Sequence, residues 1–459
     1  MTPSKFGSGA QGTDLMGLAA TRTEPAASER PRALLSPAVF WACAIAATGL
    51  LLVLRRPDAV FHAQFWAEDG VVWYADAYNY GALKALLFVR DGYLQVFPRL
   101  VAAAAQCVPL GLAPLLFNLI ALGVEALPPL FLISNRMRNI GPLWLRCGLA
   151  LLYLFVPNSA EVHANITNSQ SQLVVLACLL LIAEVPGSRL GRIFDSGVLL
   201  LCGLTTVVAG PLLAVALART LLPLWVRRGT GLARLRAETG WRWMQVGLLS
   251  AGVFLQVLTL LTAGSTRLQS TLGASGDKFV RIVAGQIVLP VFLGRNRLYD
   301  ISSDPRTITW VALLLTILAG LTYFYALLRG TPELRCFLFL AGLVLLAALT
   351  FPNVQPVAHQ WDLFLWPGAA PRYWYIPKLA LMVTLIWLLG RQRPLTIRLP
   401  AGVLTGIMVF ALVTHWSYPA FEDFHFESYV RIFEQLPSGA VGEFPLNPHR
   451  LWIMKLVKK

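Results

Sequence analysis

Two acids stand side by side in a stretch otherwise dominated by rings. Residues 65–81 read FWAEDGVVWYADAYNYG, which sets Glu68, Asp69 and Asp76 among Phe65, Trp66, Trp73, Tyr74, Tyr78 and Tyr80. A carboxylate within reach of a hydroxyl can take its proton if its pKa suits. Neighbouring aromatic rings lower local polarity and raise that pKa. The same rings suit stacking on a sugar, and equally an interfacial aromatic belt beside solvated acids. A second polar cluster, EVHANITNSQSQ at 161–172, holds Glu161, His163, Asn165, Thr167, Asn168, Gln170 and Gln172. With a helix starting near Asn165, residues 165, 168 and 172 share one face. So many polar groups exceed what a turn between spans requires, and at a membrane they call for a cavity or a partner.

Cations complete the chemistry. Arg267, Lys278, Arg281, Arg295, Arg297 and Arg306 fall in one loop, and Arg372 and Lys378 flank three rings in RYWYIPK. Guanidinium forks bind phosphate oxygens in pairs, and the same residues can snorkel or bind anionic head groups. No HxxxH or DxD spacing is present, so a divalent metal is possible but not indicated. There is no phosphate-binding glycine loop of the nucleotide type and no nucleic-acid-binding motif. The six cysteines, Cys43, Cys107, Cys147, Cys178, Cys202 and Cys336, lie in or beside apolar runs without a CxxC pair. They read as small packing residues.

The elements that must position these groups follow from composition. The chain has 459 residues, 56% hydrophobic and 13% charged, with net charge +15. Soluble domains carry about twice that charged fraction. An all-α polytopic membrane protein is expected, with about 11 transmembrane helices. The candidate spans are 37–54, 112–134, 142–157, 169–186, 195–209, 211–226, 241–263, 308–328, 334–351, 374–390 and 399–415. The short basic runs NRMRN (135–139), SRLGR (188–192), RRGTGLARLR (227–236), RGTPELR (329–335) and RQRPLTIR (391–398) then face the cytoplasm, as the positive-inside rule requires. Residues 1–36, rich in small and turn-forming residues, are expected to be a disordered cytoplasmic tail. The multi-span domain covers 37–415, with external loops 55–111, 264–307 and 352–373, and 416–459 forms a short external C-terminal segment. The apolar runs 96–110 and 279–294 are broken by proline and charge and read as juxtamembrane or re-entrant helices on the outer side. This threading gathers the versatile side chains on the external face. Glu125 and Arg219 remain inside spans without evident partners.

A first span, a long external loop with an acidic pair, a juxtamembrane VFPRL helix at 96–100 and many further spans together resemble the GT-C class of integral-membrane glycosyltransferases. The later half is similar to bacterial GtrII-type O-antigen glucosyltransferases. The resemblance implies a polyprenyl-phosphate-linked sugar as donor, a glycan or lipid as acceptor, and an acid of the first external loop as base. Asp69, with Glu68 as alternative or helper, occupies that position. Glu161 to Gln170 match a second polar cluster of the class, so Glu161, His163, Asn165 and Asn168 are expected to position sugar hydroxyls. Arg281, Arg295, Arg297 or Arg372 would hold the donor phosphate. It implies no metal in principle, because the phosphate leaves on a lipid and arginine offsets its charge. The expected location is a bacterial inner membrane with the N-terminus cytoplasmic and the C-terminus external. A lipid-saccharide flippase and an O-antigen polymerase or ligase are the rival readings.

Overall fold

Where water is absent, a backbone must satisfy its own hydrogen bonds, and the apolar runs of this chain do so as helices. A computed structural model of the protein describes residues 36–222, 232–263, 270–352, 359–448 and 452–459. Six helices are long and apolar enough to cross a membrane: Pro37–Arg55, Leu110–Ile133, Glu238–Ala263, Pro305–Arg329, Pro332–Thr350 and Leu395–Thr414. Each matches an expected span. The tail 1–35, part of the basic run at 227–231, Arg267 and His449 lie outside the described residues.

The other five expected spans are helical but short or charged. They are Leu143–Leu154, Gln170–Ile182, Arg189–Thr205, Ala209–Leu221 and Pro371–Leu388. At 1.5 Å per residue, 12 or 13 residues reach about 20 Å, against a hydrocarbon layer of about 30 Å. The apolar runs overstate these helices because their ends are turns. The chain leaves the helix at Phe155, ahead of Pro157, and again at Ala183, ahead of Pro186.

Residues Ala44–Lys459 pack as one unit, and the described part of Met1–Cys43 is the start of the first helix. At the centre of the larger unit lies Gln170–Ile182, in which every residue from Gln172 onward is buried. A helix apolar all round belongs in an interior. Here it packs against Ala113–Ile133, Arg189–Thr205, Ala209–Leu221, Pro332–Thr350 and Pro371–Leu388. Long outer helices instead turn apolar side chains outward: Trp310, Leu314, Leu321 and Leu328 on Pro305–Arg329, and Leu399, Val403 and Phe410 on Leu395–Thr414. Such faces suit lipid.

Among the described residues, the C-terminal segment adds one two-stranded sheet to an otherwise helical chain. Val441–Leu446 pairs antiparallel with Trp452–Val457, Phe444 opposite Met454. Alternation buries Phe444, Leu446, Met454 and Leu456. These side chains close over the helix Phe426–Glu434, whose Phe426 and Phe433 rings lie 5.6 and 5.5 Å from that of Phe444. A short tail is thus a small packed layer.

Hydrogen bonds between distant segments sort into two sets. Arg55 donates to the carbonyls of Leu154, Val156 and Trp416, Arg56 to those of Ala160 and Pro419, and Asn79 to that of Lys455. Lys378 Nζ donates to the Pro157 and Asn158 carbonyls at 2.7 and 2.6 Å. All of these lie at or beside segments assigned to the outer side by the arginine pattern. The other set joins segments assigned to the cytoplasm: Arg136 with Asp195, both contacts at 2.7 Å, Arg138 with Glu184, and Asn139 with Glu333.

Candidate active site

The acidic pair sits at the entry to a π-helical turn, Asp69–Tyr74. Such widened turns are frequent at functional sites. The turn is held from within. Asp69 is fully buried. Its Oδ1 accepts from the Thr167 amide at 2.8 Å and the Thr167 hydroxyl at 2.6 Å, and its Oδ2 accepts from the Ile166 amide at 2.8 Å. Trp73 Nε1 donates to the same threonine oxygen at 2.8 Å. Burial pushes the Asp69 carboxyl up to about 7, against the pull of those three donors. Phe65, Trp73 and Tyr74 are buried packing residues, with Phe65 5.1 Å from both Tyr74 and Phe117. They wall the turn rather than face a ligand. Asp76 is taken up by Arg99 at 3.2 Å, whose guanidinium lies over Trp73.

Glu68 has the opposite surroundings. Its side chain is partly exposed, and among the described residues no other residue donates a hydrogen bond to it or pairs with it within salt-bridge distance. Although part of its surface is open, the recess solvates its charge poorly. Desolvation raises its pKa, its own amide and the cations Arg372 and Arg90 pull it down, and Glu161 pushes it up. Arg372 is anchored where the helix Pro371–Leu388 begins. Its guanidinium pairs with Glu161, its backbone amide donates to Glu161 Oε2 at 3.1 Å, and the guanidinium lies 4.9 Å from the Tyr373 ring centre. Glu68, Glu161, Arg372 and the exposed Arg90 therefore share one electrostatic neighbourhood, built from three separate parts of the chain.

The remaining polar residues of 161–172 serve the loop itself. Asn165 Nδ2 donates to the Glu161 and His163 carbonyls, and its Oδ1 accepts from the amide and side chain of Asn168. Gln172 donates to the Val162 carbonyl at 2.6 Å. Asn165, Asn168 and Gln172 are buried. The resemblance implies that Asn165 and Asn168 position sugar hydroxyls. Instead they satisfy carbonyls that a short buried loop cannot expose to water. His163, also buried, places Nδ1 2.9 Å from Glu125 Oε2, so Glu125 has the partner that sequence alone did not supply. Burial holds the His163 pKa below its usual value, with Glu125 opposing.

The other expected phosphate ligands lie apart from this neighbourhood. Arg281 donates to the Thr309 hydroxyl and the Pro305 carbonyl. Arg297 pairs with Asp300 at 2.9 Å. Arg295 is exposed on the loop after Leu289–Leu293. None of the contacts of the described residues joins them to Glu68 or Glu161. Sequence reading missed Arg90, which is a lone arginine in a turn. It also missed Arg55 and Lys378 as buried cations that bind carbonyls of distant segments. Among the described residues, no group of three or more His, Cys, Asp and Glu could hold a metal ion. Next to Arg90 opens a groove of about 310 Å³ lined by Asp91, Tyr93, Val207, Val253, Val257 and Leu260.

No family model matches the chain, and no curated protein matches it. Among solved structures it is similar to an oligosaccharyltransferase of Archaeoglobus fulgidus, tethered by a disulfide bond to an acceptor peptide containing an NVT sequon. The identity is 10% and the TM-score 0.42, with 87% of this chain and 57% of that chain covered. The match spans little more than half of that protein's length, and the functional reading rests on this chain's own residues.

Proposed function

We propose that the protein is a membrane glycosyltransferase. It transfers a sugar from a polyprenyl-phosphate donor to a glycan or lipid acceptor at the external face of a bacterial inner membrane. Glu68 is the base: it takes the proton of the acceptor hydroxyl as that oxygen attacks the anomeric carbon. The bond from that carbon to the donor phosphate breaks, and the phosphate departs on its lipid with the electron pair. Arg372, with Arg90 nearby, offsets the charge that grows on the departing oxygen. Glu161 orients Arg372. Asp69 fixes the turn on which Glu68 stands, and Asn165 and Asn168 shape the loop that carries Glu161.

The observation that carries this reading is the contrast between the neighbouring acids. Asp69 is fully buried with three donors on it, and Glu68 is partly exposed, receives no donor from another described residue and feels the charges of Arg372 and Arg90. Glutamine at position 68 keeps the shape and removes the base. Glu68→Gln, expressed in the native host in place of the wild type, is expected to lower transfer by about 10²–10⁴-fold. The modified surface glycan would then be lost from mass spectra of the cell envelope. A glycan profile equal to wild type in cells that hold the variant at normal level would contradict the assignment.

A further inference from the structure

The residue before Glu68 is held in an unfavourable backbone state. Ala67 has φ of 34°, within the left-handed region that crowds an L residue's Cβ against the backbone. Residues of this kind persist where their surroundings over-determine them. The turn they make is closed locally by the Asp69 amide donating to the Trp66 carbonyl at 2.7 Å. From the far end of the chain, the Asn447 carbonyl accepts from the Ala67 amide at 2.6 Å, and Trp66 and Asn447 form a parallel bridge.

Asn447 is itself fixed and is 2% exposed. Its Oδ1 accepts from the Glu422 amide at 3.0 Å, and its Nδ2 donates to the Glu422 carbonyl at 3.0 Å. A weaker contact, 3.5 Å, reaches Gln64 Oε1, which also accepts from the Phe424 amide at 3.1 Å. Asn447 directly follows the strand Val441–Leu446, whose Leu446 presses on Gly70: a Cβ there would lie 2.4 Å from Leu446 Cδ1. The C-terminal layer therefore grips the acidic turn on both sides of the acid pair, at 66–67 and at 70.

We propose that Asn447 is the positioning residue for Glu68. Its carbonyl, fixed by its carboxamide on Glu422 and Gln64, holds Ala67 in the left-handed state that aims Glu68 toward Arg372 and Arg90 while Asp69 turns inward. The catalytic meaning of this rests on Glu68 being the base, but the positioning itself can be read without any transfer assay. The probe is carbodiimide-driven coupling of glycine ethyl ester to carboxyl groups of the full-length protein in detergent, run across pH and located by mass spectrometry. The charged groups facing Glu68 are Asp69, Glu161, Arg90 and Arg372, and all remain in every variant. The exposed Asp300 serves as internal standard.

In the wild type, Glu68 is expected to label slowly, with a midpoint above the ordinary value of 4.5. In Asn447→Ala the midpoint should fall toward that ordinary value, and the labelling rate should rise as Glu68 swings into water. Asn447→Ser removes the carboxamide without adding a charge, keeps a polar group at the site and should shift the midpoint in the same direction by less, which also covers the case in which the alanine variant does not fold. Adding Ala67→Gly to Asn447→Ala should recover part of the shift, because glycine adopts this φ without strain. Glu68 labelling equal to wild type in rate and midpoint, in a folded Asn447 variant, overturns the proposal. Full transfer by Glu68→Gln would instead overturn the base assignment and leave the positioning result standing.

Discussion

Glu68 and Asp69 are neighbours whose pKa values are both raised by burial, yet only Asp69 is held by donors from another segment. Adjacent helical residues point about 100° apart, and here the donors at Ile166 and Thr167 draw Asp69 inward while Glu68 stays partly exposed. Asp69→Asn puts an amide where three donors already converge. The loss of charge-assisted bonds is expected to cost about 1–3 kcal/mol, measured by denaturation in detergent, and Glu68→Gln should cost little. The two variants thus separate stability from chemistry. The pH profile adds a signed test. A base works when deprotonated, so transfer should rise with pH through a limb above 4.5. Arg372 pulls that value down and Glu161 pushes it up. Arg372→Gln should therefore move the limb to higher pH and Glu161→Gln to lower pH, read from rates across pH at saturating donor. The acid pair and Glu161 were legible in the sequence as candidates. Which acid faces outward was not, because it depends on Thr167, a residue 98 positions away whose role appears only on folding.

Long apolar helices were legible because twenty apolar residues in a row have few other uses. The short interior helices were legible in place but not in length, since their flanking turns are as apolar as the helices themselves. The C-terminal strands were missed for a related reason: VGEFPL and WIMKLV alternate over too few residues to stand out beside a membrane domain. One element contact makes a sharp expectation. Gly203 on Arg189–Thr205 and Gly252 on Leu232–Ala263 bring two backbones together, and a Cβ on Gly252 would lie 2.7 Å from the Gly203 Cα. Small residues allow such approach between membrane helices, and backbone cannot swing aside as a side chain can. Gly252→Ala should lower the thermal midpoint of the detergent-solubilised protein, at a cost of about 1–3 kcal/mol. An unchanged midpoint would mean the two helices separate freely.

At the scale of the whole molecule the account depends on sidedness. The arginine pattern assigns each loop to a side. The distant hydrogen bonds then joined outer-assigned segments with one another and inner-assigned segments with one another. Glu68 belongs to the segment that follows the first helix and Arg372 to the start of a much later helix, so a common site requires both to face one compartment. The direct test is labelling of single cysteines by a membrane-impermeant maleimide, in a background with the native cysteines replaced. His62→Cys and Pro367→Cys report the two halves of the site, and Arg138→Cys and Gln392→Cys the opposite end; all four positions are exposed. Positions 62 and 367 should react in intact cells whose outer barrier is opened, and 138 and 392 only after the inner membrane is permeabilised. Reaction of 62 and 367 from opposite sides would contradict the account.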